Sequence, residues 1–199
     1  MSSLTKKALR QNIAELLQSK SLDDITVKEV VERCGINRKT FYRHYRNLPD
    51  LIAGCAADEL MRAIGDNFYP ENWETGVTSG MQWLKDHRRI VRHCYDSSYY
   101  DEIRRYLTPS LDGLLEKNID RALEIYRSKT GRNLIFTDQE LHMIRHYFAS
   151  IVFTFLEEWI ASGMQDKPDN YVDTMSLLIH DDMYPMFDRI YERHQAVSS

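Results

Sequence analysis

The stretch that decides the fold is residues 26–51, which read TVKEVVERCGINRKTFYRHYRNLPDL. Thr26 and Glu29 have the spacing of a capping box, in which each side chain accepts from the other residue's backbone N–H, and this predicts a helix start. Gly35 can adopt a positive φ and end that helix. Asn37 can cap a further short helix, so the stretch predicts two helices joined by a tight turn.

The second of these helices is predicted over residues 38–44 and has two chemically different faces. An apolar side that can pack on the preceding helices is formed by Ile36, Phe41 and Tyr45. The other side carries hydrogen-bond donors and no acid, and it consists of Arg38, Lys39, Thr40, Tyr42, Arg43 and His44. Such donors suit phosphate oxygens and the O6 and N7 atoms of guanine. The pattern therefore predicts a helix-turn-helix whose second helix enters the major groove of DNA.

The flanking sequence extends this unit to a three-helix head at residues 1–50. A first helix is predicted over residues 4–19 from the helical spacing of Leu9, Ile13, Leu16 and Leu17. Pro49 suits the first turn of a fourth helix, predicted to run to about Phe68. That fourth helix begins the rest of the chain, which we treat as a separate domain.

Residues 51–199 are predicted to form a larger helical body. After the fourth helix, further helices are expected near 74–86, 87–96, 98–128, 138–162 and 170–193. Asp138 is expected to cap one of them and Gly163 to end it. Alternation of apolar and polar residues at period two is almost absent, so the predicted fold class is all-α without a sheet.

Charge divides the chain in the same place. Residues 1–50 carry ten Lys or Arg and six Asp or Glu, whereas the remainder carries 16 and 24. A basic head on an acidic body indicates that only the head meets a polyanion. Chance clustering of charge is the alternative, and charge alone does not exclude it.

Composition narrows the class of protein further. Hydrophobic residues make up 43% of the chain, enough to build a buried core. No apolar run approaches the roughly 20 residues that span a bilayer, and the N-terminal residues lack a signal-peptide pattern. We therefore expect a cytoplasmic protein with no membrane partner. Three cysteines without a Cys-x-x-Cys pair predict buried thiols rather than a disulfide framework or a zinc site.

Residues 26–52 resemble the TetR/AcrR family of bacterial regulators. The positions that match the family pattern are Thr26, Val30, Cys34, Gly35, Ile36, Thr40, Phe41, Tyr42, His44, Tyr45 and Leu51. Leu48 departs from the pattern, since the family often has a phosphate-contacting lysine there, and Arg46 is the candidate replacement. Residues 159–163 are also similar to the C-terminal domain of a subgroup that includes the dihydroxyacetone-kinase operon regulator.

The resemblance implies a homodimeric transcription regulator, expected to be a repressor, that binds double-stranded DNA at a palindromic operator. It also implies that the helices at 138–162 and 170–193 pair with those of a second copy as a four-helix bundle. The sequence agrees, because residues 147–160 are apolar on more than one face. A helix fully buried within a monomer would show the same pattern.

The residues predicted to contact DNA are Thr26, Lys28, Asn37, Arg38, Lys39, Thr40, Tyr42, Arg43, His44 and Arg46. Arg38 is predicted to read a guanine with its planar fork, and contact with phosphate alone is the alternative. Lys39 suits a base or a phosphate equally well. Contacts to phosphate are predicted for Thr26, Lys28, Tyr42, His44 and Arg46.

The sequence indicates less clearly which molecule binds to the body and controls the regulator. Family membership favours a small effector, and the candidate effector-binding residues are Trp83, His87, Tyr95 and Tyr147. Aromatic core packing explains the same residue types. The subgroup resemblance favours a protein co-regulator as the alternative to a small molecule.

An enzyme is the rival from another class of function. His142 and His146 lie four residues apart on a predicted helix, so both could meet one metal ion. The glutamate of a metalloprotease His-Glu-x-x-His motif is missing, because Met143 occupies its place. We therefore expect ordinary histidines, no metal, no cofactor and no enzymatic activity.

Overall fold

A computed structural model describes residues 3–177 and 181–198 of the chain. Over these residues the protein is all-α, and the predicted fold class is confirmed. The helices are α1 (Ser3–Ser19), α2 (Val27–Arg33), α3 (Arg38–Tyr42), α4 (Leu48–Ile64), α5 (Trp73–Asp86), α6 (Arg88–Tyr95), α7 (Tyr100–Thr130), α8 (Asp138–Ala161), α9 (Pro168–Met175) and α10 (Asp181–Ser198). A short 3-10 helix at Leu22–Asp24 links α1 to α2.

The first of two compact units contains residues up to Arg62 together with Trp83–Ser110. Its core is built by α1–α4, the linking 3-10 helix and Ile103 of α7. Leu9 and Phe41 are fully buried at its centre, because both lie on the apolar sides of their helices. The functional boundary that we predict at residue 50 lies inside this unit and stays a prediction.

The second compact unit contains Ala63–Gln82 and the chain from Leu111 onward. Trp159 and Phe187 are fully buried in it, and the indole N–H of Trp159 donates to the carbonyl of Asp166 at 3.2 Å. Gly76 of α5 lies directly against the backbone of Asn67, where a methyl group would collide with the carbonyl. The absence of a side chain at Gly76 therefore permits this close helix–loop approach.

Two predicted caps differ in the structure. The Thr26 hydroxyl accepts from the Glu29 N–H at 3.2 Å as predicted, but the Glu29 carboxylate instead accepts from the Lys20 ammonium at 2.7 Å. The Lys20 ammonium carries a full positive charge, whereas the N-cap amide is a neutral donor. The prediction for Asp138 is also wrong, because Thr137 caps α8.

Several helix ends differ from the predicted ones. The third helix ends at Tyr42 and the fourth at Ile64, where Gly65 has a φ of 59°. The helix predicted at 170–193 is described in two parts, α9 and α10, and residues 178–180 between them lie outside the described part of the chain. The predicted end of α8 is confirmed, since Gly163 has a φ of 85°.

Candidate nucleic-acid interface

The turn before α3 is held by local hydrogen bonds. Gly35 has a φ of 62°, which lets the N–H of Ile36 donate back to the carbonyl of Val31 at 3.0 Å. The Asn37 side-chain oxygen then accepts from the N–H of Thr40 at 2.8 Å and caps α3. Both interactions satisfy backbone groups that a helix end leaves without partners. They determine where α3 begins and therefore which of its side chains face outward.

Burial of one side of α3 exposes the other. Phe41 is fully buried, and its ring meets that of Tyr45 at a centroid distance of 5.9 Å. Tyr42 remains 55% exposed and touches Phe41 edge-on at 5.3 Å. The edge contact restricts the Tyr42 ring while its hydroxyl group can reach outward. Because one side of α3 is anchored in the core, the predicted donor face on the other side is exposed to solvent.

All ten predicted DNA-contacting residues lie in the first compact unit. Eight of them are exposed, namely Thr26, Lys28, Asn37, Arg38, Lys39, Tyr42, Arg43 and Arg46, while Thr40 and His44 are half-buried. Thr26 keeps its own O–H as a donor after accepting from the Glu29 N–H. Asn37 likewise keeps the N–H₂ end of its amide after capping α3. The capping interactions are therefore compatible with contacts to phosphate.

His44 lies in a positive environment. Partial desolvation, followed by the charges of Arg43 and Lys6, lowers the pKa of His44 below its usual value. Arg43 Nε donates to His44 Nε2 at 3.2 Å, which places the ring proton of neutral His44 on Nδ1. Lys6 is a cation near α3 that the sequence analysis missed. It belongs to α1, and helical periodicity along α1 does not indicate its distance from α3.

The connection from α3 to α4 leads into Leu48, the residue at which the chain departs from the family pattern. Leu48 is buried with 7% of its surface exposed, whereas Arg46 is exposed. The Arg46 N–H donates to the Asp50 carboxylate at 2.8 Å, and the Asn47 side-chain oxygen accepts from the Asp50 N–H at 3.0 Å. These bonds make the turn rigid and place a single outward-facing cation, Arg46, within residues 45–50.

The four candidate effector-binding residues are divided between the two units. Trp83 and His87 stack with ring centroids 4.3 Å apart, and Tyr95 meets Tyr100 edge-on at 4.7 Å, all in the first unit. Tyr147 belongs to the second unit and is 56% exposed. The three candidates in the first unit, Trp83, His87 and Tyr95, therefore each contact a neighbouring ring.

The second unit contains a cavity of about 40 Å³. Its walls are almost entirely apolar and are formed by Phe68, Pro70, Trp73, Val77, Leu115, Asn118, Ile119, Phe148, Val152, Met175 and Met183. The polar exception is Asn118, which is 6% exposed and donates to the carbonyl of Phe68 at 3.2 Å. None of the four candidate effector residues lines this cavity. The burial of Asn118 could not be predicted from the sequence, because an isolated asparagine in a helix normally faces solvent.

The histidines and cysteines show no assembled catalytic or metal site over the described residues. The rings of His142 and His146 lie 6.4 Å apart on the exposed side of α8. Within the described ranges, no group of three His, Cys, Asp or Glu residues is placed to hold a metal ion. Burial raises the pKa of Cys55 to about 11 and that of Cys94 to about 12, so both thiols are protonated at neutral pH. Among the helices described, none is both long and apolar enough to cross a bilayer.

Two family models match the chain. The model described as "Bacterial regulatory proteins, tetR family" matches residues 11–54, and "Transcriptional regulator C-terminal region" matches residues 71–181. The first covers the helix-turn-helix, and the second covers more than half of the chain. The chain belongs to the tetR family of bacterial regulatory proteins and is a DNA-binding transcription regulator.

Individual proteins and solved structures are also similar to this chain. The HTH-type dhaKLM operon transcriptional activator DhaS of Lactococcus lactis subsp. lactis (strain IL1403) is 20% identical over 162 residues, which are 80% of this chain and 81% of the relative. The solved structure of the dihydroxyacetone kinase operon activator DhaS superposes with a TM-score of 0.55 at 18% identity. The match covers 87% of this chain and 93% of the DhaS chain. The structure of the fatty acid degradation regulator FadR from Bacillus halodurans has a TM-score of 0.47 at 13% identity, with coverages of 92% and 98%. The predicted resemblance to the subgroup is confirmed.

Proposed function

We propose that this chain is a homodimeric regulator that binds a palindromic operator through α3. The observation that carries the proposal is the donor face of α3, which exposes Arg38, Lys39 and Arg43 without an acid. A surface helix that only faces water normally mixes charges of both signs. A rigidly capped helix with donors alone on its outer face suits a polyanion with acceptor-rich base edges.

The proposed division of labour follows position and side-chain chemistry. Arg38 lies in the first turn of α3, the end that usually meets base edges, and its fork matches guanine O6 and N7. Lys39 and Thr40 are the next candidates for base contact. Thr26, Lys28, Tyr42, His44 and Arg46 are assigned to phosphates, which fix the register of the protein without reading sequence.

The proposed dimer face lies on α8 and α10. Ile144, Phe148 and Val152 point into the core of the second unit, whereas Met143 is 63% and Tyr147 is 56% exposed. Large exposed apolar groups beside a buried apolar stripe favour a helix that packs against its own core and a second copy. This exposure is the observation that weighs against the alternative of a helix fully buried within a monomer. A twofold axis would bring the same face of both copies together.

The direction of control has two candidates. We propose repression, which needs only occupancy of a promoter by the head. Activation is the second candidate, because the relative from Lactococcus lactis is described as a transcriptional activator. A reporter driven by the recovered operator, with and without the regulator, distinguishes the two outcomes directly. Because the proposed ligand is chromosomal DNA, the proposed site of action is the cytoplasm.

Two kinds of molecule are candidates for controlling the regulator. A small effector bound in the second unit is our first proposal, but pockets for such ligands usually measure about 300–1,000 Å³. The observed cavity of about 40 Å³ would have to open to admit one. Its small size favours the second candidate, in which a protein co-regulator binds the surface of this unit.

The test of DNA recognition is selection from a random duplex library with the full chain. We expect an enriched palindrome whose half-sites are separated by roughly one helical turn, about 34–36 Å, or somewhat more. Arg38→Ala/Lys39→Ala provides the matched control, because it removes two exposed cations and keeps the buried side of α3. Failure of the wild-type protein to enrich any motif would contradict sequence-specific binding.

A further inference from the structure

The turn between α3 and α4 is held by side chains from a distant part of the chain. Asn47 uses both ends of its amide, since the oxygen caps α4 and Nδ2 donates to Glu102 Oε1 at 2.9 Å. The same Glu102 oxygen accepts from the hydroxyl group of Tyr106 at 3.1 Å. The three side chains thus connect the turn to α7 through continuous hydrogen bonds inside the first compact unit.

The Arg46 side chain contacts the same group of residues through the ring of Tyr106. Its guanidinium carbon lies 5.7 Å from the centroid of the Tyr106 ring, within the range of a cation–π contact. Such a contact uses the face of the guanidinium and leaves its in-plane N–H groups available for hydrogen bonds. Tyr106 itself packs against the hydrophobic core of the head, so its ring is a rigid support.

We propose that Glu102 and Tyr106 are positioning residues for DNA binding. Tyr106 orients the Arg46 guanidinium toward a DNA phosphate, and Glu102 holds Asn47 and Tyr106 in place. The inference rests on the proposed function, because it requires Arg46 to contact DNA. It also explains how this turn can provide a phosphate contact although Leu48 is buried.

A double-mutant cycle between Arg46→Ala and Tyr106→Leu tests the proposal. Binding of the full chain to its selected operator and to a random duplex is measured across a salt series. Each single variant should lose about tenfold in affinity for both duplexes, as expected for one charge-assisted contact. Each should also reduce the magnitude of the log–log salt slope by about 0.9, the value for one phosphate. The double variant should bind like Arg46→Ala alone.

Two further variants separate positioning from a general effect on folding. Tyr106→Phe keeps the ring beneath Arg46 and loses only the hydrogen bond to Glu102, so its salt slope should decrease less than that of Tyr106→Leu. Tyr99→Leu is the matched control, because Tyr99 is a 40% exposed tyrosine of the same unit that lies outside the network. It should leave both affinity and slope unchanged.

The proposal is overturned by a folded Tyr106→Leu variant with wild-type affinity and slope. Additive losses in the double variant also overturn it, because Tyr106 would then act independently of Arg46. If Tyr106→Leu does not fold, Glu102→Ala replaces it in the cycle with the same expected non-additivity and the same contrary outcomes. A wild-type protein that binds no DNA contradicts the proposed function itself. A wild type with steep salt dependence and an inert Arg46→Ala variant contradicts the positioning role alone.

Discussion

Asp23 and Ser98 are 75 residues apart in the sequence, yet the Asp23 carboxylate accepts from both the hydroxyl group and the N–H of Ser98. The distances to Asp23 Oδ1 are 2.6 Å from the hydroxyl oxygen and 3.1 Å from the backbone nitrogen. The contact joins the 3-10 helix of the head to the segment between α6 and α7. Both residues belong to the first compact unit.

This contact predicts a pH dependence of stability. The hydrogen bond from the Ser98 hydroxyl group is the largest influence on Asp23 and lowers the pKa of its carboxyl below the usual value for aspartate. A carboxyl whose pKa is lower in the folded state stabilises the protein above its unfolded pKa, and that stability disappears as the pH falls through the lowered value. Asp23→Asn should therefore lower the Tm slightly at neutral pH and flatten the stability profile below about pH 4.

Thermal unfolding followed across pH 2–7 measures this effect. Ser98→Ala should reproduce part of the loss, whereas Asp24→Asn is the control, because Asp24 is the exposed neighbour without that contact. A wild-type-like profile in Asp23→Asn would contradict the role of the contact.

Gly76→Ala should destabilise the second unit. The new methyl group would collide with the Asn67 backbone carbonyl and approach Ile64, and a backbone cannot move aside as a flexible side chain can. Overpacking of this kind costs about 1–3 kcal/mol. Gly113→Ala is the matched control, since Gly113 lies inside α7 with nothing within 4 Å of the added carbon. It should raise stability by up to about 1 kcal/mol through helix propensity, as measured by urea unfolding of both variants.

Arg38→Ala should lose discrimination at one operator position. A bidentate contact to guanine provides about 1–3 kcal/mol of discrimination against other bases. Competition binding against operators altered one base pair at a time should show the variant indifferent at a single position. An equal loss of affinity for every operator would instead assign Arg38 to a phosphate.

Tyr42→Phe should weaken binding to all duplexes by the same factor, about tenfold, because a hydroxyl bond to phosphate carries no base information. The salt slope should not change, since a neutral hydroxyl group displaces no counterion. Titration of the operator and a random duplex at several salt concentrations measures both quantities. A sequence-dependent loss would show that Tyr42 contacts a base edge.

Tyr147→Asp should convert the protein from a dimer to a monomer of 23.5 kDa at micromolar concentration. A charge introduced into the apolar contact between two α8 helices would be desolvated without a partner. Sedimentation equilibrium measures the change. Ile135→Asp is the control, because Ile135 is 70% exposed but lies in the connection before α8. A monomeric wild type would contradict the proposed dimer.

Local chemistry explains which features could be predicted. Thr26, Gly35 and Asn37 act on backbone groups within four residues of themselves, so their spacing alone indicated both ends of α2 and the start of α3. Periodicity indicated the buried side of α3 for the same reason, since Phe41 and Tyr45 are one helical turn apart. The donor face of α3, which we predict to contact DNA, followed as the other side of that short helix.

Competition between partners explains what could not be predicted. Glu29 had a local partner available in the N-cap amide, but Lys20 provides a charged one after the chain folds back. Capping rules compare neighbours in sequence and do not include such distant competitors.

By itself, the sequence determined the helix-turn-helix, its donor face and the all-α class, because each depends on contacts within a few residues or on a simple period. Only the tertiary structure decided that Asp23 meets Ser98 and that Arg46 lies over Tyr106. It also decided that the core of the second unit leaves a cavity of only about 40 Å³. The physical reason is that hydrogen bonding and close packing depend on distances of a few ångströms between segments far apart in the chain, and no local pattern determines those distances.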